Sequence, residues 1–222
     1  MKVLISGSAS GIGLEVAKKF LKEGYMVIGL DLNESQIEDP FYKHYQVDIK
    51  NADELPEIDG DIEYIFNNAG LQNCEDDIDN NLKSAINVTE KYAFNKNIKA
   101  VLFNASASAR SGDEFPMYVA SKAGLIGYMK NVAIRLAQYG ATCNSISLGG
   151  VLTHSNDEVI NNPDLWNKIM DATPLKKWMT LEEVTDWVYF LLITNKSMSG
   201  QDLLIDNGEQ DLTSTFVWPE AK

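Results

Sequence analysis

Apolar and polar positions fall in blocks along the chain, short strand-like runs alternating with longer stretches of helical spacing. Lys2–Ser6 and Tyr25–Asp31 read as strands, and between them Ile12–Glu23 carries Ile12, Val16, Phe20 and Leu21 near helical spacing before a stop at Gly24. Five more strands are predicted over Tyr42–Asp48, Ile62–Asn67, Lys99–Ser106, Ala141–Ser147 and Asp202–Asp206. Helices are predicted over Asp77–Asn95, Met117–Tyr139 and Thr180–Ile193, whereas Asn51–Asp59 leaves room only for a small crossover helix or none. In the longest helix Val119, Ala123, Ile126, Met129, Ala133 and Leu136 make one apolar stripe, and Gly140 ends it. This alternation predicts an α/β fold, a doubly wound, Rossmann-type parallel sheet of seven strands between helices. The 222 residues carry no repeat, low-complexity run or Gly/Ser linker, so one domain over 1–222 is expected, least regular across His154–Met179.

Composition fits a packed globular chain, with 45% hydrophobic and 23% charged residues. The 32 acidic against 19 basic side chains give a net charge of −13, which repels a nucleic-acid backbone and an anionic membrane surface alike. Cys74 and Cys143 lack CxxC spacing and His44 and His154 lie far apart, so neither a metal site nor a disulfide framework is expected. The apolar run Val3–Ile5 is too short for a signal peptide, and Trp187–Ile193 is too short to span a bilayer. A soluble cytoplasmic protein with reduced thiols is the expectation.

The candidate chemistry gathers at the C-terminal ends of the strands, where ligands of open parallel sheets bind. The first strand runs into Ser6-Gly7-Ser8-Ala9-Ser10-Gly11-Ile12-Gly13, a glycine-rich turn entering a helix with GxxxGxG spacing. Backbone without Cβ atoms can approach a pyrophosphate, and the helix N-terminus favours its charge, so Gly7, Ser10, Gly11, Ile12 and Gly13 are candidate phosphate contacts. Asp31 ends the second strand, followed by Leu32, where a carboxylate bonds an adenosine ribose and repels a 2′-phosphate. No Lys or Arg lies in Ser8–Ser10 or Leu32–Ser35, so the predicted cofactor is NAD and not NADP. Asp48, with Ile49, would face the adenine edge, and Asn68, Ala69 and Gly70 close the fourth strand.

Tyr118 and Lys122 are four apart at the start of the longest helix and share a face. A nearby ammonium favours phenolate, which equips a tyrosine to exchange a proton with an alcohol or carbonyl oxygen. Just upstream, Asn104-Ala105-Ser106-Ala107-Ser108 brings hydroxyls to the same sheet edge.

Together these residues resemble the short-chain dehydrogenase/reductase family from Ser6 to about Gly208. Ser6–Gly13 resembles its TGxxxGIG turn with Ser for Thr, Asn67–Gly70 its NNAG, and Tyr118–Ala123 its YxASKA. Asn81-Leu82-Lys83-Ser84 is similar to the segment that completes the family's Asn/Ser/Tyr/Lys tetrad, and Leu148–Thr153 to its PG segment with Leu148 for Pro. Pro174-Leu175 before Leu181–Val184, and Gly200-Gln201 before Asp206–Gly208, resemble its closing helix and last strand. The resemblance implies strand order 3-2-1-4-5-6-7, a homodimer or homotetramer, Asn81 holding a relay water, and Val151 and Thr153 meeting the nicotinamide amide. It also implies hydride transfer between NAD(H) and a secondary alcohol or ketone, with Tyr118 as acid/base, Lys122 on the ribose and Ser106 on the carbonyl.

Two departures stand out. The family's serine commonly precedes its tyrosine by a residue more than Ser106 precedes Tyr118; Ser106 is preferred, and Ser108 is the alternative. The stretch from Gly70 to Asn81 is also short, trimming one wall of the substrate pocket. Leu165, Trp166, Ile169, Met170, Trp178 and Met179 make 154–179 a candidate apolar lid or simply a covering helix, and Trp218 is a candidate to pack in the same pocket or on a neighbouring subunit. His44, His154 and Cys143 are assigned no chemistry. Two rival functions remain open, an NAD-binding sensor without turnover and an isomerase or epimerase on the same scaffold.

Overall fold

In a computed structural model, which describes residues 1–113 and 115–212, seven strands form one parallel sheet in the order β3-β2-β1-β4-β5-β6-β7. They are β1 (Lys2–Ser6), β2 (Met26–Asp31), β3 (Tyr42–Gln46), β4 (Tyr64–Asn67), β5 (Ala100–Asn104), β6 (Thr142–Leu148) and β7 (Asp202–Ile205). Register runs Leu4 beside Ile28 on one side and beside Ile65 on the other, so the central strands are buried on both faces. Side-chain alternation then divides the core: Leu4, Ile65, Val101 and Cys143 face one layer, and Val3, Ile5, Phe66 and Leu102 the other.

The first layer is closed by α2 (Ser84–Tyr92) and α4 (Pro116–Leu136), the second by α1 (Gly11–Lys22) and α7 (Leu181–Tyr189). Thr180 and Glu183 form a capping box that starts α7, and Pro116 pre-sets the first turn of α4. Short helices α3 (Ser108–Ser111), α5 (Asp157–Ile160) and α6 (Pro163–Ala172) lie over the C-terminal strand ends, α6 started by the Asn162 side chain capping Asp164 and Leu165.

Two of the predicted helices change in detail. The helix predicted over Asp77–Asn95 begins as a π-helical turn, Ile78–Lys83, before continuing as α2, and α7 likewise passes into a π-helical turn at Phe190–Thr194. The 51–59 crossover is one 3-10 turn, Ala52–Glu54. The least regular stretch contains α5 and α6, closed by a parallel bridge between Val151 and Met179.

The buried stripe of α4 is Ser121, Lys122, Leu125, Met129, Val132 and Leu136; of the predicted stripe Met129 and Leu136 are buried, Ile126 and Ala133 pack half-buried at its edge, and Ala123 is exposed. The chain offers apolar residues at adjacent positions, Leu125 with Ile126 and Val132 with Ala133, and inward placement of Lys122 decides the rotation. Among the described residues no helix is long and apolar enough to cross a membrane. Trp218 lies outside the described residues.

Candidate active site

The glycine-rich turn is shaped by contacts that only hydrogen permits. Gly7 turns the chain at φ +69°, and a Cβ on Gly13 would lie 1.9 Å from the Gly7 carbonyl oxygen, so α1 can seat against the turn only with glycine there. Leu14 N–H donates to the Ser10 carbonyl, so the N–H groups of Gly11, Ile12 and Gly13 precede the first intrahelical acceptor. No acidic residue lies in that first turn. N–H groups ahead of the first helical acceptor, the helix dipole and open space in front of Gly11 fit a dinucleotide pyrophosphate.

Asp31 closes β2 against this turn, its Oδ2 accepting the Ala9 N–H at 2.9 Å and its Oδ1 the Asn33 N–H at 2.9 Å. Leu32 beside it is exposed. Asp48 Oδ1 accepts the Lys50 N–H at 3.0 Å, and the Asn87 side chain holds the Ile49 and Lys50 carbonyls, fixing that loop beside β3. Two residues given no role by sequence reasoning brace the same corner. The Tyr42 hydroxyl donates to Ser8 Oγ at 3.0 Å and lies 3.2 Å from His44 Nδ1, while His44 Nε2 is 2.9 Å from the Asn33 carbonyl. Their signal was present as two ring side chains on one face of a strand, with Gly29 leaving room for the Tyr42–Ser8 contact.

A continuous set of hydrogen bonds joins this turn to Lys122, beside Tyr118. Ser6 Oγ accepts from the N–H groups of Asn68 at 3.0 Å and Ala69 at 3.1 Å, which accounts for a hydroxyl residue at that position. Asn68 Nδ2 donates to the carbonyls of Ser6 and Gly7 at 3.2 and 3.3 Å. Asn104 Nδ2 donates to Asn68 Oδ1 at 3.0 Å, and Lys122 Nζ donates to the Asn104 carbonyl at 2.8 Å.

Lys122 is buried, with its ammonium 5.6 Å from the centre of the half-buried Tyr118 ring. Burial pulls its pKa down from 10.5 to about 8, against the opposing field of Asp77. The Asn81 side chain, fully buried in the π-helical turn, donates to Ser121 Oγ at 3.0 Å and to the Leu71 carbonyl at 2.9 Å, while its oxygen accepts the Leu71 N–H at 2.7 Å. The wide turn thereby presses Asn81 onto α4 beside Gly70.

β5 ends at Asn104, so Ser106 and Ser108 lie beyond the strand and its parity does not separate them. Their hydroxyls are 2.8 Å apart, with Ser108 donating to Ser106. Ala107 N–H donates to the Leu148 carbonyl, which seats this pair against the Gly149–Thr153 segment. The Val151 carbonyl accepts from Thr153 N–H at 2.9 Å and Asn156 Nδ2 at 2.8 Å. Over this edge, α6 buries none of its residues fully, and Trp166, Ile169 and Met170 are half-buried, with Trp166 packed edge-on to Trp178 at 5.2 Å.

The chain belongs to the short-chain dehydrogenase/reductase family, a family of oxidoreductases that bind nicotinamide cofactors. The family model described as enoyl-(acyl carrier protein) reductase matches residues 7–210. The 3-oxoacyl-[acyl-carrier-protein] reductase FabG of Buchnera aphidicola is 28% identical over 92% of this chain and 95% of its own length. The L-xylulose reductase of Caenorhabditis elegans is 28% identical over 93% of this chain and 94% of its own. Among solved structures, 4-hydroxyisoleucine dehydrogenase complexed with NADH superposes with a TM-score of 0.86 at 26% identity, covering 96% of this chain and 99% of that one. ElxO with NADP bound shares the fold, with a TM-score of 0.84 at 23% identity over 95% and 99% of the two chains.

Proposed function

We propose that the protein is an NAD(H)-dependent oxidoreductase of the cytoplasm that interconverts a secondary alcohol and a ketone, working as a single-domain subunit of a homodimer or homotetramer. The observation that carries this reading is the hydrogen-bonded path from the glycine-rich turn through Asn68 and Asn104 to Lys122, which ties a dinucleotide cradle to the cation beside Tyr118. When bound, the nicotinamide supplies or accepts the hydride.

In this reading Gly7, Ser10, Gly11, Ile12 and Gly13 hold the pyrophosphate. Asp31 and Leu32 meet the adenosine ribose, and Asp48 and Ile49 the adenine. Asn68, Ala69 and Gly70 form the floor under the nicotinamide ribose, and Val151 and Thr153 hold the nicotinamide amide. Asp31 supports NAD because its carboxylate, fixed on the Ala9 N–H, would meet a 2′-phosphate with no Lys or Arg in Ser8–Ser10 or Leu32–Ser35 to offset the repulsion.

Tyr118 exchanges the proton with the substrate oxygen, and the Lys122 ammonium favours its phenolate while binding the ribose hydroxyls. Ser106 donates to the substrate oxygen, its own oxygen occupied by the Ser108 hydroxyl. Asn81 holds the relay water near Lys122. The half-buried apolar face of α6 favours an apolar carbonyl, a class that includes 3-oxoacyl chains. The test is NADH oxidation across a panel of apolar and polyol ketones. Wild-type turnover on the apolar members, abolished in Tyr118→Phe while NADH binding survives, supports the assignment; undiminished turnover in Tyr118→Phe removes Tyr118 from the chemistry.

A further inference from the structure

The edge strand β3 turns Tyr42, His44 and Gln46 to one face, and each bonds to a segment that flanks or holds the Asp31 carboxylate. The Tyr42 hydroxyl joins Ser8 Oγ at 3.0 Å to His44 Nδ1 at 3.2 Å, and His44 Nε2 donates to the Asn33 carbonyl at 2.9 Å. Because that carbonyl can only accept, Nε2 carries a proton. The Asn33 N–H donates to Asp31 Oδ1 at 2.9 Å, and Asp31 Oδ2 accepts at 2.9 Å from the N–H of Ala9, the neighbour of Ser8. The bonds therefore close into a circuit through Ser8, Tyr42, His44, Asn33, Asp31 and Ala9.

The sheet gives up a side chain to admit this circuit. A Cβ on Gly29 would lie 2.2 Å from the Tyr42 hydroxyl oxygen and 2.4 Å from Ser8 Oγ, so only glycine at that point of β2 leaves room for their bond. Glycine inside a strand weakens it and marks such a close approach. Ser8 is fully buried, which places one end of the circuit out of water, while Asp31 is half-buried at the other. Each Asp31 oxygen accepts one backbone N–H and keeps a further acceptor site for a ribose hydroxyl. A carboxylate fixed in this way discriminates against a 2′-phosphate by charge, whereas one free to swing aside loses both the repulsion and the preorganised ribose bond.

We infer that Tyr42 and His44 are positioning residues for cofactor selectivity, closing a circuit of hydrogen bonds that holds the Asp31 carboxylate where the 2′ position of the adenosine ribose binds. The inference rests on the reading of Asp31 as the ribose-binding carboxylate, and it places part of the NAD preference in side chains that do not themselves touch the cofactor. Tyr42 fixes the phosphate turn that carries the Ala9 N–H, and His44 fixes the loop that carries the Asn33 N–H, so the two donors that clamp Asp31 are held from one strand.

The test is the ratio of the NADPH to the NADH dissociation constant, read by nicotinamide fluorescence on the full-length protein. Tyr42→Phe removes the hydroxyl but keeps the aromatic ring, and should lower the ratio by about threefold or more. Ser8→Ala breaks the same bond from the other side and should lower it as much, with the double variant no worse than either single one. His44→Phe opens the circuit at Asn33 and should act in the same direction. A role confined to stability would lower Tm and weaken both cofactors alike, leaving the ratio where it is. An unchanged ratio in the folded variants, or losses that add in the double variant, overturns the proposal. Should Tyr42→Phe not fold, Ser8→Ala and His44→Phe decide it. Failure of the underlying reading shows instead in the wild type, as equal binding of the two cofactors or of neither, and removes the selectivity that the circuit is inferred to support.

Discussion

Ser108 Oγ donates to Ser106 Oγ across 2.8 Å, and the Ser108 N–H points at the same oxygen from 3.3 Å. With its oxygen accepting twice, the Ser106 hydroxyl keeps its own proton for a substrate carbonyl, and Ser108 orients it from behind. Ser106→Ala should therefore lower kcat/KM by about 100-fold or more, and Ser108→Ala by about tenfold. Steady-state kinetics of the two variants decide the order, and the larger loss in Ser108→Ala would transfer the donor role to Ser108.

Two glycines of the phosphate turn should respond differently to a methyl group. Gly13→Ala drives a Cβ to within 1.9 Å of the Gly7 carbonyl oxygen, a backbone atom that cannot swing aside. Loss of NADH binding together with a lower Tm is expected. Gly11→Ala meets nothing within 4 Å, and its φ of +51° costs about 1 kcal/mol of strain, so a folded protein is expected. Thermal melts and fluorescence titrations with NADH check both.

Burial of Lys122 makes it a destabilising residue at neutral pH. Its proton leaves near pH 8 in the folded chain and near 10.5 in the unfolded one. Below 8 both states hold the proton and the folded state carries the full cost of a buried cation. Between 8 and 10.5 the unfolded chain binds more protons, so this contribution to stability rises with pH, by up to about 1.4 kcal/mol per unit. Lys122→Met should accordingly be more stable than wild type near neutrality, with the gap narrowing towards about pH 10. Urea denaturation of both proteins at the two pH values measures it. The comparison with Lys122→Met matters because the Cys143 thiol, pushed up by burial, pulls wild-type stability the other way at high pH in both chains.

Much of this was legible in the sequence for local reasons. The seven strands, the glycine-rich turn, Asp31, and the Tyr118–Lys122 pair each announce themselves within a few residues, by alternation, by the glycines or by helical spacing. What escaped depends on rotation and long-range contact. The centre of the α4 stripe is not fixed by spacing, because Leu125 with Ile126 and Val132 with Ala133 fit either phase, and the contact of Ser121 with Asn81 goes with the Leu125 and Val132 phase. The π-helical turn at Ile78–Lys83 has no local signature. Tyr42 and His44 share a strand face that the sequence shows, but their partners Ser8 and Asn33 lie 34 and 11 residues away, which spacing does not encode.

Selection of NAD over NADP by the cofactor site is measured by parallel titrations of the purified protein with NADH and NADPH, followed by nicotinamide fluorescence. NADH should bind at least about tenfold tighter than NADPH, a difference of about 1.4 kcal/mol, and the preference should collapse in Asp31→Ala. NADPH binding as tightly as NADH in wild type, or no binding of either, would contradict it.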